Sequence, residues 1–129
     1  MTKTQHLTLA GVKRAARRAY RARRLTAQHP TPTKRMCVYE KGSYSCAIGA
    51  ALNKHTIAAI RESNCNEGTS VDQLRVRGLI TVDADELGPI SVIQNMHDSW
   101  ASASEAYGGR SDGTKSARKG FLETIGLKS

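Results

Sequence analysis

No acidic side chain occurs before Glu40. That absence weighs against an ordinary solvated helix near the start of the chain, because such faces mix Glu with Lys and gain from opposite charges three or four residues apart. No run of 18 apolar residues exists, so no helical membrane span is encoded. No apolar stretch of the secretory type follows the first residues, so a signal peptide is not expected. The three cysteines are too few, and odd in number, for a disulfide-stapled secreted fold, which points to a reducing cytoplasm. Catalytic and binding signatures are also missing. There is no G-x-S-x-G, no H-E-x-x-H, no C-x-x-C knuckle and no RNP-type aromatic platform. No helix-turn-helix spacing is present, so sequence-specific base reading has no support. Gly108 and Gly109 lie outside any phosphate-cradling glycine frame. Asp83, Asp85 and Glu86 lack the spacing of a calcium loop and read as a surface turn that begins a helix.

What is present is a segregated charge. Of the twenty Lys and Arg, ten lie between Lys3 and Arg35, so residues 1–39 carry +10. Residues 40–129 hold ten bases and eleven acids, a net −1, and the whole chain carries +9. The stretch "GVKRAARRAYRARRL", residues 11–25, contains six Arg and one Lys. At helical spacing Leu9, Val12, Ala15, Ala16, Ala19, Tyr20 and Ala22 share one side, and Lys13, Arg14, Arg17, Arg18, Arg21 and Arg24 share the other. The pattern predicts a helix over 7–27, formed against the repulsion of like charges that a bound anion would relieve.

Several uses of such a helix compete. A solvated face, a membrane-surface helix and an organellar transit peptide are the alternatives to a polyanion-binding face. A membrane-surface helix calls for bulky anchors, and this apolar face is mostly alanine. The excess of Arg over Lys favours bidentate pairing with phosphate or carboxylate. In composition the stretch is similar to the arginine-rich helices that bind RNA in some phage antitermination proteins.

Beyond the helix, "QHPTPTKR" reads as a stiff extended linker over 29–35. "MCVYE" alternates as a strand, "KGS" turns it and "YSC" returns, giving a hairpin around 36–46. Ser45 is a candidate N-cap of a helix through "CAIGAAL", and Asn53 of a further one through Ile57 and Ile60. Ser70 with Gln73 has the capping-box pattern, with Gly78 as its stop. "LITVDADELG" is ambiguous. Pro89 suits the first turn of a helix carrying Ile90, Ile93, Met96 and His97. "YGGRSDGT" reads as a mobile loop. Thr114 is the expected cap of a last helix that turns Ala117, Phe121, Leu122 and Ile125 inward and stops at Gly126. No internal repeat is present.

Two chemical readings attach to the remaining Cys and His residues. Cys37, Cys46 and Cys65 with His97 (or His55) could form a zinc site, at spacings that match no knuckle. Cys46, at an expected helix N-terminus that would lower its thiol pKa, could pair with His97, held by Asp98, in a thiol-dependent hydrolase or transferase. Against both stands ordinary burial, since free Cys packs as a small hydrophobe. Around these residues a resemblance appears. Cys37, Tyr39, Cys46-Ala47-Ile48-Gly49, Gln94, His97-Asp98 and Trp100 form a pattern that resembles a group of small uncharacterised bacterial and phage proteins. The resemblance spans roughly 36–126. It implies a bacterial or phage setting and no activity, and the basic N-terminal helix is where this chain departs from the group.

The sequence therefore predicts a mostly helical α+β single domain with a short β-hairpin and an N-terminal Arg-rich helix. It divides the chain into a basic helix (1–28), a linker (29–35) and a small α+β body (36–129). The expected function is that of a non-enzymatic phage or mobile-element protein in the bacterial cytoplasm, with no cofactor. Its arginine face would contact nucleic acid or an acidic host-protein surface, and inhibition of a host defence nuclease complex is one such role. The alternatives are the Cys46–His97 enzyme and a structural accessory subunit whose basic arm neutralises a neighbour.

Overall fold

In the computed structural model, which describes residues 4–29, 44–63 and 70–128, the first element is a strand that the sequence pattern does not announce. Strand β1 (Gln5–Leu7) pairs in parallel with β2 (Ile80–Val82), in the register Gln5 to Ile80 and Leu7 to Val82. Leu7, Ile80 and Val82 are buried, and His6 and Thr81 between them face solvent and join by a 2.7 Å hydrogen bond. The two strands are three residues each and gain their stability from the helices around them.

Helix α1 (Leu9–Arg21) is shorter than the 7–27 expected. Its start is fixed twice. The Thr8 side chain accepts from the Gly11 N–H, and Glu86 Oε1, from a segment 77 residues away, accepts from the Leu9 N–H at 3.0 Å. A remote carboxylate thus supplies the negative charge that α1 lacks in its own first turn, where it favours the positive end of the helix. Its C-terminus is a Schellman motif: Arg24 N–H bonds the Ala19 carbonyl and Arg23 N–H the Tyr20 carbonyl. The residue in the left-handed conformation is Arg23, at φ +57°, where glycine is usual. The same motif closes the third and fifth helices with Gly78 and Gly126, as the sequence predicts.

Val12, Ala15 and Ala16 of α1 are buried. Their small size lets α1 lie close on a 3-10 turn at Gly49–Ala51. A second 3-10 turn, Thr26–Gln28, follows α1, and Leu25 next to it bridges in parallel to Ser45. Ser45 is therefore a bridge residue and not the expected cap. Helix α2 (Lys54–Glu62) is capped by Asn53 as expected, and the Gln5 side chain clamps this region through the Ala51 carbonyl, the Asn53 N–H and the Thr56 hydroxyl. Helix α3 (Val71–Val76) is capped by Ser70.

Helix α4 (Ala84–Tyr107) is the spine. Its 24 residues run about 36 Å at 1.5 Å per residue. The ambiguous "LITVDADELG" resolves into β2 followed by the start of α4, so Pro89 lies inside the helix and not in its first turn. The bond Pro89 forgoes would reach the exposed Asp85, whose carbonyl water can satisfy. Helix α5 (Asp112–Thr124) folds back on α4, capped by Ser111; the expected cap, Thr114, is buried and donates to the Gly108 carbonyl instead. Trp100, Phe121 and His97 form an aromatic cluster between them, with centroids 5.6 Å (Trp100–Phe121) and 5.7 Å (His97–Phe121) apart.

The chain is a mostly helical α+β single domain. Residues of β1 and α1 share one hydrophobic cluster with those of α2 to α5. The hairpin expected around 36–46 falls outside the described residues except for Tyr44, Ser45 and Cys46, and so do Cys37, Tyr39, Cys65 and all of the linker but His29. No helix among the described residues is long and apolar enough to cross a membrane.

Because a non-glycine residue in the left-handed region costs about 1–2 kcal/mol, Arg23→Gly should raise unfolding stability by about 1 kcal/mol in urea titrations, and Arg23→Val should lower it.

Candidate polyanion-binding surface

The two faces of α1 meet different environments. With Val12, Ala15 and Ala16 in the core, Arg14, Arg18, Arg21 and, just past the helix, Arg24 project into solvent. Along the axis, positions 14, 18 and 21 are spaced by about 6 and 4.5 Å, a ladder of guanidinium groups on one side. No Asp or Glu among the described residues pairs with any of these four, or with Lys13.

Arg17 is different. It is half-buried, and its guanidinium donates at 2.8 Å to the Ile125 carbonyl at the end of α5. There a cation meets the negative end of a helix and satisfies one of its orphan carbonyls. Arg17 thus works inside the fold, tying α1 to the C-terminal helix, and stands apart from the five other cations predicted with it.

Beside the ladder a groove of about 840 Å³ opens between α1 and the segment running from Tyr44 into α2. Its floor is shallow in side-chain volume, with Ala15, Ala19 and Ala22 on the α1 side. Arg18, Arg24 and Lys54 stand on its walls, and among the described residues that line it there is no Asp or Glu. Sequence reasoning passes over Lys54 and Tyr44. A signal for Lys54 exists nevertheless: it is the first residue of α2, and a cation at the positive end of a helix is out of place electrostatically.

Cys46 and His97 do not form a thiolate pair; the α4 side chains that act on the thiol are Gln94 and Asp98. Cys46 is fully buried ahead of the Gly49–Ala51 turn, and burial pushes its thiol up to about 12, an effect that the Gly49 N–H bond to Sγ only partly opposes. The helix N-terminus expected to lower that value is a single 3-10 turn. His97 is also fully buried, with both ring nitrogens engaged: Nε2 accepts from the Ala27 N–H at 3.3 Å, and Nδ1 lies 3.3 Å from Asp98 Oδ1. A ring held in that tautomer has no nitrogen left to take a proton from Cys46. Gln94 completes the set, donating to Asp98 Oδ1 at 2.9 Å and accepting from the Ile48 N–H at 3.0 Å. Gln94, His97 and Asp98 thus form a polar edge on α4 that holds two backbone segments in place. Among the described residues no three His, Cys, Asp or Glu side chains are grouped to hold a metal ion, and His55 is exposed on α2.

The chain matches no protein-family model, no curated protein and no solved structure, so the residues themselves carry the functional reading.

Two outcomes test the polar edge. His97→Ala strands the buried Ala27 N–H and leaves a cavity, and should cost about 3 kcal/mol, with His97→Gln costing less in the same urea titration. The second test uses a Cys37→Ser/Cys65→Ser background. There, Cys46 should resist a thiol reagent until the protein unfolds. The unfolded chain loses this proton from about 9.0 upward and the folded chain only near 12. Stability should therefore hold below pH 9 and decline as pH rises above it, with a flatter decline in the Cys46→Ala variant of that background.

Proposed function

We propose that this protein acts by binding, not catalysis, and that it presents the outward face of α1 to a polyanion. The observation that carries this reading is the set of four exposed guanidinium groups, Arg14, Arg18, Arg21 and Arg24, without carboxylate partners among the described residues, on a helix whose other face is locked in the core. Three of these like charges, Arg14, Arg18 and Arg21, sit at helical neighbour positions and destabilise the free protein by a few tenths of a kcal/mol per pair. A phosphate or carboxylate partner removes that cost and gains charge-assisted hydrogen bonds. Lys13, half-buried on the same helix, adds to the local potential.

The partner is the phosphate backbone of nucleic acid, or an acidic surface on a host protein if the binding is protein-directed. The setting suggested by the resemblance is a phage or mobile element acting in a bacterial cytoplasm, where such a protein would occupy a host nucleic-acid or acidic-protein surface. Arg17 is not part of the contact, because its guanidinium already serves Ile125.

The test separates charge from fold. Arg14→Gln, Arg18→Gln, Arg21→Gln and Arg24→Gln combined should leave thermal stability unchanged or raised. Affinity for a nucleic acid should fall, and its log–log salt slope should lose about 0.7–0.9 for each phosphate contact removed. Undiminished binding by this variant would overturn the reading. Arg17→Gln alone should instead lower stability by about 1 kcal/mol and leave the salt slope nearly as it was.

A further inference from the structure

The groove beside α1 does not end at Tyr44. The Tyr44 ring lies edge-to-face against His29, with centroids 4.6 Å apart and planes at 64°. His29 in turn lines a second concavity of about 280 Å³, bounded by the turn after α1, by α4 and by α5. This second bay carries Lys115 and Arg118 from α5, with Trp100 and Thr114 at its base. Like the first bay, it has no Asp or Glu among the described residues that line it. Five cations from three separate helical regions, Arg18 and Arg24, Lys54, and Lys115 with Arg118, therefore flank one aromatic pair. None of the sequence motifs explains Lys115 and Arg118, since the net charge beyond residue 39 is close to zero.

From this arrangement we infer that the partner is a single-stranded nucleic acid, running from the α1–α2 groove across Tyr44 and His29 into the bay formed with α5. The inference rests on the binding role assigned to α1. Three physical points favour a single strand. Proteins that hold single strands combine a cationic groove with aromatic rings on which bases stack, and here both elements are contiguous. Both rings are half-buried, neither sealed in the core nor isolated at the surface. Helix α1, embedded along Val12, Ala15 and Ala16, forms one wall of a concave groove, so Arg18 and Arg24 border a path along the surface. An acidic protein surface would use the guanidinium ladder, but it has no need of concave bays or an aromatic pair between them.

Fluorescence anisotropy of the full chain tests this with four probes: a labelled 12-nucleotide single-stranded DNA, the matching RNA, the blunt DNA duplex and polyglutamate. The expected result is tighter binding of either single strand than of the duplex. Tyr44→Leu should weaken single-strand binding by about tenfold and Tyr44→Phe should preserve it, as stacking on a ring predicts. Arg118→Gln, on an exposed position of α5 far along the chain from α1, should lower the single-strand salt slope by about 0.7. Circular dichroism melts of the Tyr44 pair show whether each variant folds. If Tyr44→Leu unfolds, Arg118→Gln and Lys115→Gln carry the test alone.

Equal binding of duplex and single strand, with Tyr44→Leu and Arg118→Gln both neutral, overturns the single-strand path and leaves the α1 binding role standing. Binding of polyglutamate without any nucleic acid also overturns it and makes an acidic protein the partner. Failure of all four probes removes both the path and the binding role.

Discussion

Two backbone N–H groups, those of Ala27 and Ile48, are held by side chains of one helix, and the rest of the surface depends on it. His97 accepts from the first and Gln94 from the second, and Asp98 steadies both. Ala27 sits in the turn that ends the α1 region, and Ile48 in the segment that forms the far side of the groove. Because α4 grips both, hydrogen bonds to a single helix help set the walls of the concavity. Leaving either N–H unpaired inside the core would cost about 1–3 kcal/mol, a large share of a small domain's stability.

That constraint also accounts for residues that look chemical. Cys46, His97 and Asp98 lie near one another, as residues of a thiol enzyme would. Burial keeps the thiol protonated, and the imidazole is consumed by a backbone donor. The cluster is better understood as scaffolding under the cationic surface. A partly buried polar edge of this kind fixes one arrangement of backbone segments, since every member has a partner.

Charge is managed by the same division of labour. α1 lacks acids of its own, so Glu86 on α4 serves its N-terminus, and Arg17 is spent on the end of α5. The remaining guanidinium groups are left outward. The fold thus absorbs only as much of the helix's charge as it needs to seat it, and the excess faces solvent beside the groove. Arg23 adds a local tension, holding the left-handed turn that redirects the chain from α1 into the Leu25–Ser45 bridge.

Much of the local architecture is legible in the sequence. The alanine and arginine faces of α1 follow from a 3.6-residue period, the caps at Asn53 and Ser70 from short polar side chains before apolar turns, and the stops at Gly78 and Gly126 from glycine's access to positive φ. These are interactions within a few residues, so neighbouring letters suffice to specify them. The parallel pairing of Gln5–Leu7 with Ile80–Val82 is not legible, because three-residue strands carry no usable period and their partner is more than 70 residues away. For the same reason no local rule distinguishes Arg17 from Arg18, or reveals that Lys54, Tyr44, His29 and Arg118 border one path. The sequence by itself determined that the chain would carry a cationic helix with an alanine back. Which of its charges stay free, and what surrounds them, only the tertiary structure decided, because hydrogen bonds and burial between distant segments are set by packing and not by neighbours in the chain.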